Sequence, residues 1–204
     1  MMSLTEITSF FMASVILAFT PGPDNIFVIV TSLAQGFKTS LKFILGLCTG
    51  IVLHTFLIII GVSALISQSQ YGLTVLKYFA VFYLLYLAYK TYQHRHDPIN
   101  LSPLNKVENY FFRGFIMNIS NPKVLLFFLA FFPQFAHFDQ EGYASRLALL
   151  GLLFILVTFF VFSLIAWLAS RGRQGFVENP KYAYSINVLA IFVFVSVSLL
   201  LLLH

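Results

Sequence analysis

The chain has 204 residues, of which 59% are hydrophobic, 18% aromatic and only 9% charged, with a net charge of +5. So little charge cannot wet the surface of a soluble globular domain, in which about a quarter of the residues are charged. That excludes a soluble enzyme, a disordered chain and a nucleic-acid binder, and the single cysteine, Cys48, excludes an internal disulfide or a cysteine-based metal cluster.

A membrane-spanning helix needs about 20 mostly apolar residues. Six stretches qualify: 7–33, 41–66, 72–92, 110–136, 147–169 and 183–203. The first has Glu6 and no Lys or Arg before it, and Pro21-Gly22-Pro23 interrupts it. A cleavable signal wants a basic start and an unbroken apolar core, so a retained helix is expected. Its middle reads Thr20-Pro21-Gly22-Pro23-Asp24-Asn25. Two prolines there remove backbone donors and clash with preceding carbonyls. Irregular backbone in hydrocarbon survives only where protein or a wet cavity covers it.

The second stretch carries Gly46 and Gly50, a Gly-x-x-x-Gly face read as internal packing ahead of a dimer seam, which leaves a homo-oligomer open. It also carries His54, for which a core hydrogen-bond partner is the first reading ahead of a relay or a ligand. The third has Tyr83, Tyr86, Tyr89 and Tyr92 on one face, a packing and interfacial stripe. A polar connection follows, and the fourth stretch is interrupted by Asn118, Ser120, Asn121, Pro122 and Lys123. The fifth and sixth are unbroken, with Trp167 and Tyr182 suited to interfaces.

Pro21 and Pro122 are 101 residues apart, in corresponding helices of two three-helix halves. Three helices per half is odd, so the second half enters from the opposite face. The expected fold is an all-α membrane protein of six transmembrane helices in two inverted three-helix repeats, with the first and fourth helices broken at their proline motifs. It forms one domain over 1–204: repeat one 1–92, a linker 93–109 and repeat two 110–204. Matching interrupted helices are the best sequence pointer to a transporter's binding site. Lining is therefore expected from Thr20, Pro21, Gly22, Pro23, Asp24, Asn25, Asn118, Asn121, Pro122 and Lys123.

Asp24 and Lys123 are the central ionisable groups of opposite sign. A charge at the bilayer centre costs about 3 kcal/mol or more, so each must face the interior or pair. Such a pair suits a zwitterion, and Asp24 can take a proton when the substrate leaves, with Lys123 holding either the substrate carboxylate or Asp24. Nine loop cations (Lys38, Lys42, Lys90, Arg95, Lys106, Arg113, Arg171, Arg173 and Lys181) fall on one side, against Arg146 and Lys77 on the other. Both termini are expected on the non-cytoplasmic side. No hydrolase, metalloprotease or nucleotide-binding motif is present, which argues against an enzyme and against a cofactor. Cys48, His54 and Asp24 make a poor metal site. A passive pore stays open as the alternative, since broken helices also line pores.

Thr20-Pro21-Gly22-Pro23 with the Gly46 to Gly50 spacing, Tyr83-Leu84-Leu85-Tyr86-Leu87, and the run from Gly114 through Asn121-Pro122-Lys123 to Pro133-Gln134-Phe135 resemble, in that order, the signature of the LysE/RhtB family of amino-acid exporters. The chain has Lys38-Thr39-Ser40 where that family has an Arg-x-Gly pattern, and Ala88 where it often has glycine. The resemblance implies a multi-pass protein of the bacterial inner membrane that exports amino acids or close derivatives, driven by the proton-motive force. The wider superfamily also includes exporters of metal cations. Among amino acids a neutral side chain is favoured, because no second central carboxylate is visible to meet a cationic one.

Overall fold

A computed structural model describes residues 2–20, 22–68, 72–96, 109–136, 142–171 and 180–203. Pro21, the loop cations Lys106 and Arg173, and most of the 93–109 linker lie outside the described residues. Those described are helical throughout, with short turns and no strand. The helices are α1 (Leu4–Phe19), α2 (Pro23–Gln35), α3 (Phe37–Gln68), α4 (Gly72–Gln93), α5 (Tyr110–Ile119), α6 (Pro122–Ala136), α7 (Tyr143–Arg171) and α8 (Pro180–Leu203). Two expected spans are thus each met by two helices, 7–33 by α1 and α2 and 110–136 by α5 and α6.

Local chemistry sets the helix starts. At α1 the Ser3 hydroxyl accepts from the Glu6 N–H at 3.2 Å, and the Glu6 carboxylate accepts from the Ser3 N–H at 2.6 Å, a reciprocal cap. At α5 the Asn109 side chain accepts from the Phe112 N–H at 3.0 Å. Pro23 and Pro122 open α2 and α6, where a proline's missing N–H costs nothing.

Phe37–Gly61 of α3 and all of α7 are each long and apolar enough to cross a membrane. The pair α1 and α2, bent by 58° at its break, makes a third candidate span among the described residues. Large apolar side chains point outward: Phe82 on α4 is 72% exposed, Phe160 on α7 66% and Phe192 on α8 68%. An aqueous surface would not carry so many exposed rings, whereas lipid is their natural solvent.

Helix α3 packs against α5 and α7, α1 and α2 pack against α7, and α4 packs against α8. At the α3–α5 crossing Gly46 faces the backbone of Phe111 and Phe115, and Gly114 faces the backbone of Phe43 and Leu47. The Gly46–Gly50 face is therefore turned inward, onto a helix of the same chain. Two apolar clusters result. One gathers Phe10, Phe127, Phe128, Phe131, Phe132 and Phe154 near the start of α1 and along α6. The other gathers Phe27, Phe43, Leu47, Val157 and Phe162 around α2, α3 and α7.

Candidate functional site

Where the two clusters meet, a small cavity of about 10 Å³ is lined by Leu17, Ala18, Asp24, Ile51, Asn118, Lys123, Val124, Phe154, Thr158 and Phe162. That volume is close to the room one water molecule needs. The conformation is closed: no amino-acid-sized space stands open at this point.

The polar groups around it arise from the ends of four short helices. Helix α1 stops with Thr20 in an extended conformation, which leaves its last carbonyls without helical donors. The Lys123 ammonium supplies one to Thr20 O and adds a second to Leu17 O, which already accepts from the Thr20 N–H at 3.1 Å. Its Nζ donates to Thr20 O at 2.9 Å, to Leu17 O at 3.4 Å and to Asn25 Oδ1 at 3.4 Å. An ammonium has three donors, and all three are engaged. A cation at a helix C-terminus also meets the negative end of the helix dipole. The Thr20 hydroxyl turns back to Ile16 O at 2.7 Å, and the Asn25 amide donates to Ala18 O at 2.8 Å.

Across the same junction, Asn121 caps α6. Its Oδ1 accepts from the Lys123 N–H at 3.0 Å, and its Nδ2 donates to Asp24 Oδ2 at 2.8 Å. Asp24 lies in the first turn of α2, whose N-cap Gly22 provides no side-chain cap, so the carboxylate sits at the positive end of that dipole. The two charges are thus linked crosswise to asparagines, Asp24 to Asn121 and Lys123 to Asn25. Asp24, Asn25, Asn118, Asn121 and Lys123 are all buried, as is Thr20.

The other expected lining residues take different places. Gly22 lies against Lys123, where an added Cβ would come within 3.2 Å of Nζ. Pro23 and Pro122 are exposed and open their helices; neither lines the cavity. His54 is a buried hydrogen-bond partner, with Nε2 at 3.3 Å from Asn118 O; a carbonyl only accepts, so Nε2 carries the proton there. Its ring packs against Phe128. No group of three or more His, Cys, Asp or Glu side chains that could hold a metal occurs among the described residues.

Sequence reasoning did not single out Thr158. It lies in α7, buried, on the cavity wall, and its Oγ1 has no hydrogen-bond partner. Hydroxyls in apolar helices commonly turn back to the carbonyl four residues earlier. Ser14, Ser32, Thr55 and Ser198 all do so here. Asp24 Oδ1 and Asn118 Oδ1 are also buried without a partner.

The family model described as LysE type translocator matches residues 15–204. A protein of Salmonella typhimurium named homoserine/homoserine lactone efflux protein is 29% identical over 182 residues, covering 88% of this chain and 87% of that protein. A Vibrio cholerae protein named uncharacterized membrane protein is 26% identical over 184 residues, 89% of this chain and 88% of its own. The leucine efflux protein of Salmonella choleraesuis is 29% identical over 133 residues, 62% of this chain and 61% of its own. No solved structure matches the chain.

Proposed function

This chain belongs to the LysE type translocator family, a family of membrane transporters and not of enzymes, and on that premise we propose that it exports amino acids or close derivatives from the cytoplasm in exchange for protons. The observation that carries the reading is the crosswise junction of Asp24–Asn121 and Lys123–Asn25 beside a closed, water-sized cavity. Buried charges held by neutral amides at the ends of short helices are replaceable partners, which a substrate can relieve in turn.

The six stretches of the sequence cross the bacterial inner membrane six times, as two inverted halves. Supporting this, α1 packs on α7 as α5 packs on α3, while α3 meets α7 and α4 meets α8. Exchange of the two halves leaves that pattern unchanged. With both termini outside, the Phe10 cluster closes the site from the periplasmic side and the Phe27–Phe43 stack closes it from the cytoplasmic side. Rocking the halves opens one plug at a time.

A substrate entering from the cytoplasm brings an ammonium to Asp24. Its carboxylate goes to the uncapped start of α2 or to Lys123. When the substrate leaves outward, a proton takes its place on Asp24 and returns inward with it. The relatives named for homoserine and leucine efflux carry names of substrates with neutral side chains, in line with a cavity whose remaining wall is Leu17, Ala18, Ile51, Val124, Phe154 and Phe162. A pore would need a continuous polar path, and apolar clusters stand on both sides of the site.

Proteoliposomes with an imposed pH gradient and labelled leucine, homoserine, lysine and Mn²⁺ test this directly. Accumulation of a neutral amino acid, collapsing with an uncoupler, is expected. Equilibration without accumulation would establish a pore, and accumulation of Mn²⁺ alone would establish a metal exporter.

A further inference from the structure

Three residues on the wall of the central cavity each carry a buried oxygen that no donor reaches: Asp24 Oδ1 on α2, Asn118 Oδ1 on α5 and Thr158 Oγ1 on α7. Each residue is at most 4% exposed. A buried acceptor left unpaired is costly, more so when charged, so three beside one cavity call for a donor that this conformation does not supply. The neighbouring donors are committed elsewhere. Lys123 spends its ammonium on the end of α1, Asn121 gives its amide to Asp24 Oδ2, and His54 serves the backbone of Asn118.

We propose that Asp24 Oδ1, Asn118 Oδ1 and Thr158 Oγ1 together seat the unsubstituted primary ammonium of the substrate, with Thr158 a specificity-determining residue. The inference rests on the export reading above and narrows it to substrates with a free –NH₃⁺ group. A primary ammonium has three N–H donors, one for each orphaned oxygen, and the cavity's size matches that of a water molecule, which –NH₃⁺ resembles. A dehydrated metal cation would want about six oxygen ligands, which these three do not provide. Asp24 and Lys123 balance one another, so a zwitterion adds no net charge to the site.

Thr158 comes from a helix of the second half that packs against both α1 and α2. Its hydroxyl therefore reaches the substrate from the partner half, and releases it when the halves rock apart. A valine there keeps the shape and removes the acceptor. An ester or amide at the substrate's carboxyl end leaves this seat untouched, while acylation or replacement of the amine removes its ligand.

Proteoliposome uptake of labelled leucine and homoserine tests the assignment. Thr158→Val is expected to raise KM at least tenfold at matched insertion, and Thr158→Ser, which keeps the hydroxyl, to recover most of that loss. On the unaltered protein, the 2-hydroxy acid analogue and N-acetyl-leucine are expected to compete at least a hundredfold more weakly than leucine, a readout independent of any variant's folding. An unchanged KM in Thr158→Val, or equal competition by the hydroxy acid, overturns the seat while leaving amino-acid export standing. So does a rise in unfolding temperature caused by Na⁺ alone in the unaltered protein and lost in Thr158→Val, which would assign the three oxygens to a metal cation. If the unaltered protein transports neither amino acid, the export reading falls and the inference with it.

Discussion

Lys123→Met is expected to abolish transport and to destabilise the fold by about 3 kcal/mol, the scale on which removal of one charge from a buried, mutually compensating set acts. Methionine fills nearly the same volume, so packing is not the cause. The loss is electrical and local. Leu17 O, Thr20 O and Asn25 Oδ1 lose their shared donor, and Asp24 is left as the one ionisable group on the cavity wall. Arginine is not expected to restore it, because a planar guanidinium cannot reproduce the three diverging donors of the ammonium at Leu17 O, Thr20 O and Asn25 Oδ1. Thermal unfolding of the detergent-solubilised protein and leucine uptake check the two halves of this expectation. Unchanged melting with unchanged uptake would mean that the end of α1 is satisfied in some other way.

Gly46→Ala and Gly114→Ala form the second large expectation, each destabilising by about 3 kcal/mol, the upper range for overpacking. The obstacles are the backbone carbonyls of Phe111 and Phe43, which no side-chain rotation can move aside. Helices α3 and α5 would have to separate along their shared face, and Asn118, which packs against Gly50 one turn further on, would shift with them. Gly61→Ala is the internal control. It lies on the same helix, an added Cβ meets nothing within 4 Å, and alanine there is expected to stabilise the helix by about 0.5–1 kcal/mol. Expression followed by size-exclusion profile and melting temperature separates the three variants. Equal behaviour of Gly46→Ala and Gly61→Ala would contradict the close crossing.

Helical content and membrane character are legible in the sequence because they depend on one-dimensional quantities, the length of an apolar run and the scarcity of charge. The helix starts at Pro23 and Pro122 are similarly local, since a proline fixes its own φ and lacks the donor that a first turn does not use. Asp24 and Lys123 draw attention because a charge far from a loop must have a reason. What joins them is not legible. The sequence leaves open whether they pair directly, and in the structure each bonds to an asparagine of the opposite motif, an arrangement that depends on how the short helices abut. Thr158 is silent for the same reason. One threonine in a 29-residue apolar helix resembles the hydroxyls that bond their own backbone, and only the three-dimensional structure shows that Thr158, like Thr31 and Ser163, does not, and that of these three it is Thr158 that stands on the cavity wall. Pro23 and Pro122 show the reverse: conspicuous in sequence, they shape the backbone and stand outside the cavity.

The central claim is that the Asp24 carboxylate at the junction of the short helices couples proton and substrate. Asp24→Asn keeps the local geometry, because the new amide oxygen can still accept from Asn121 Nδ2, although Lys123 loses its compensating charge and the fold is expected to weaken as it does in Lys123→Met. The measurement is leucine accumulation driven by a pH gradient in proteoliposomes that contain equal amounts of correctly inserted variant and unaltered protein. Accumulation in the variant at the level of empty vesicles is the predicted result. Accumulation at the unaltered rate, still abolished by an uncoupler, would place the coupling group elsewhere and contradict the account.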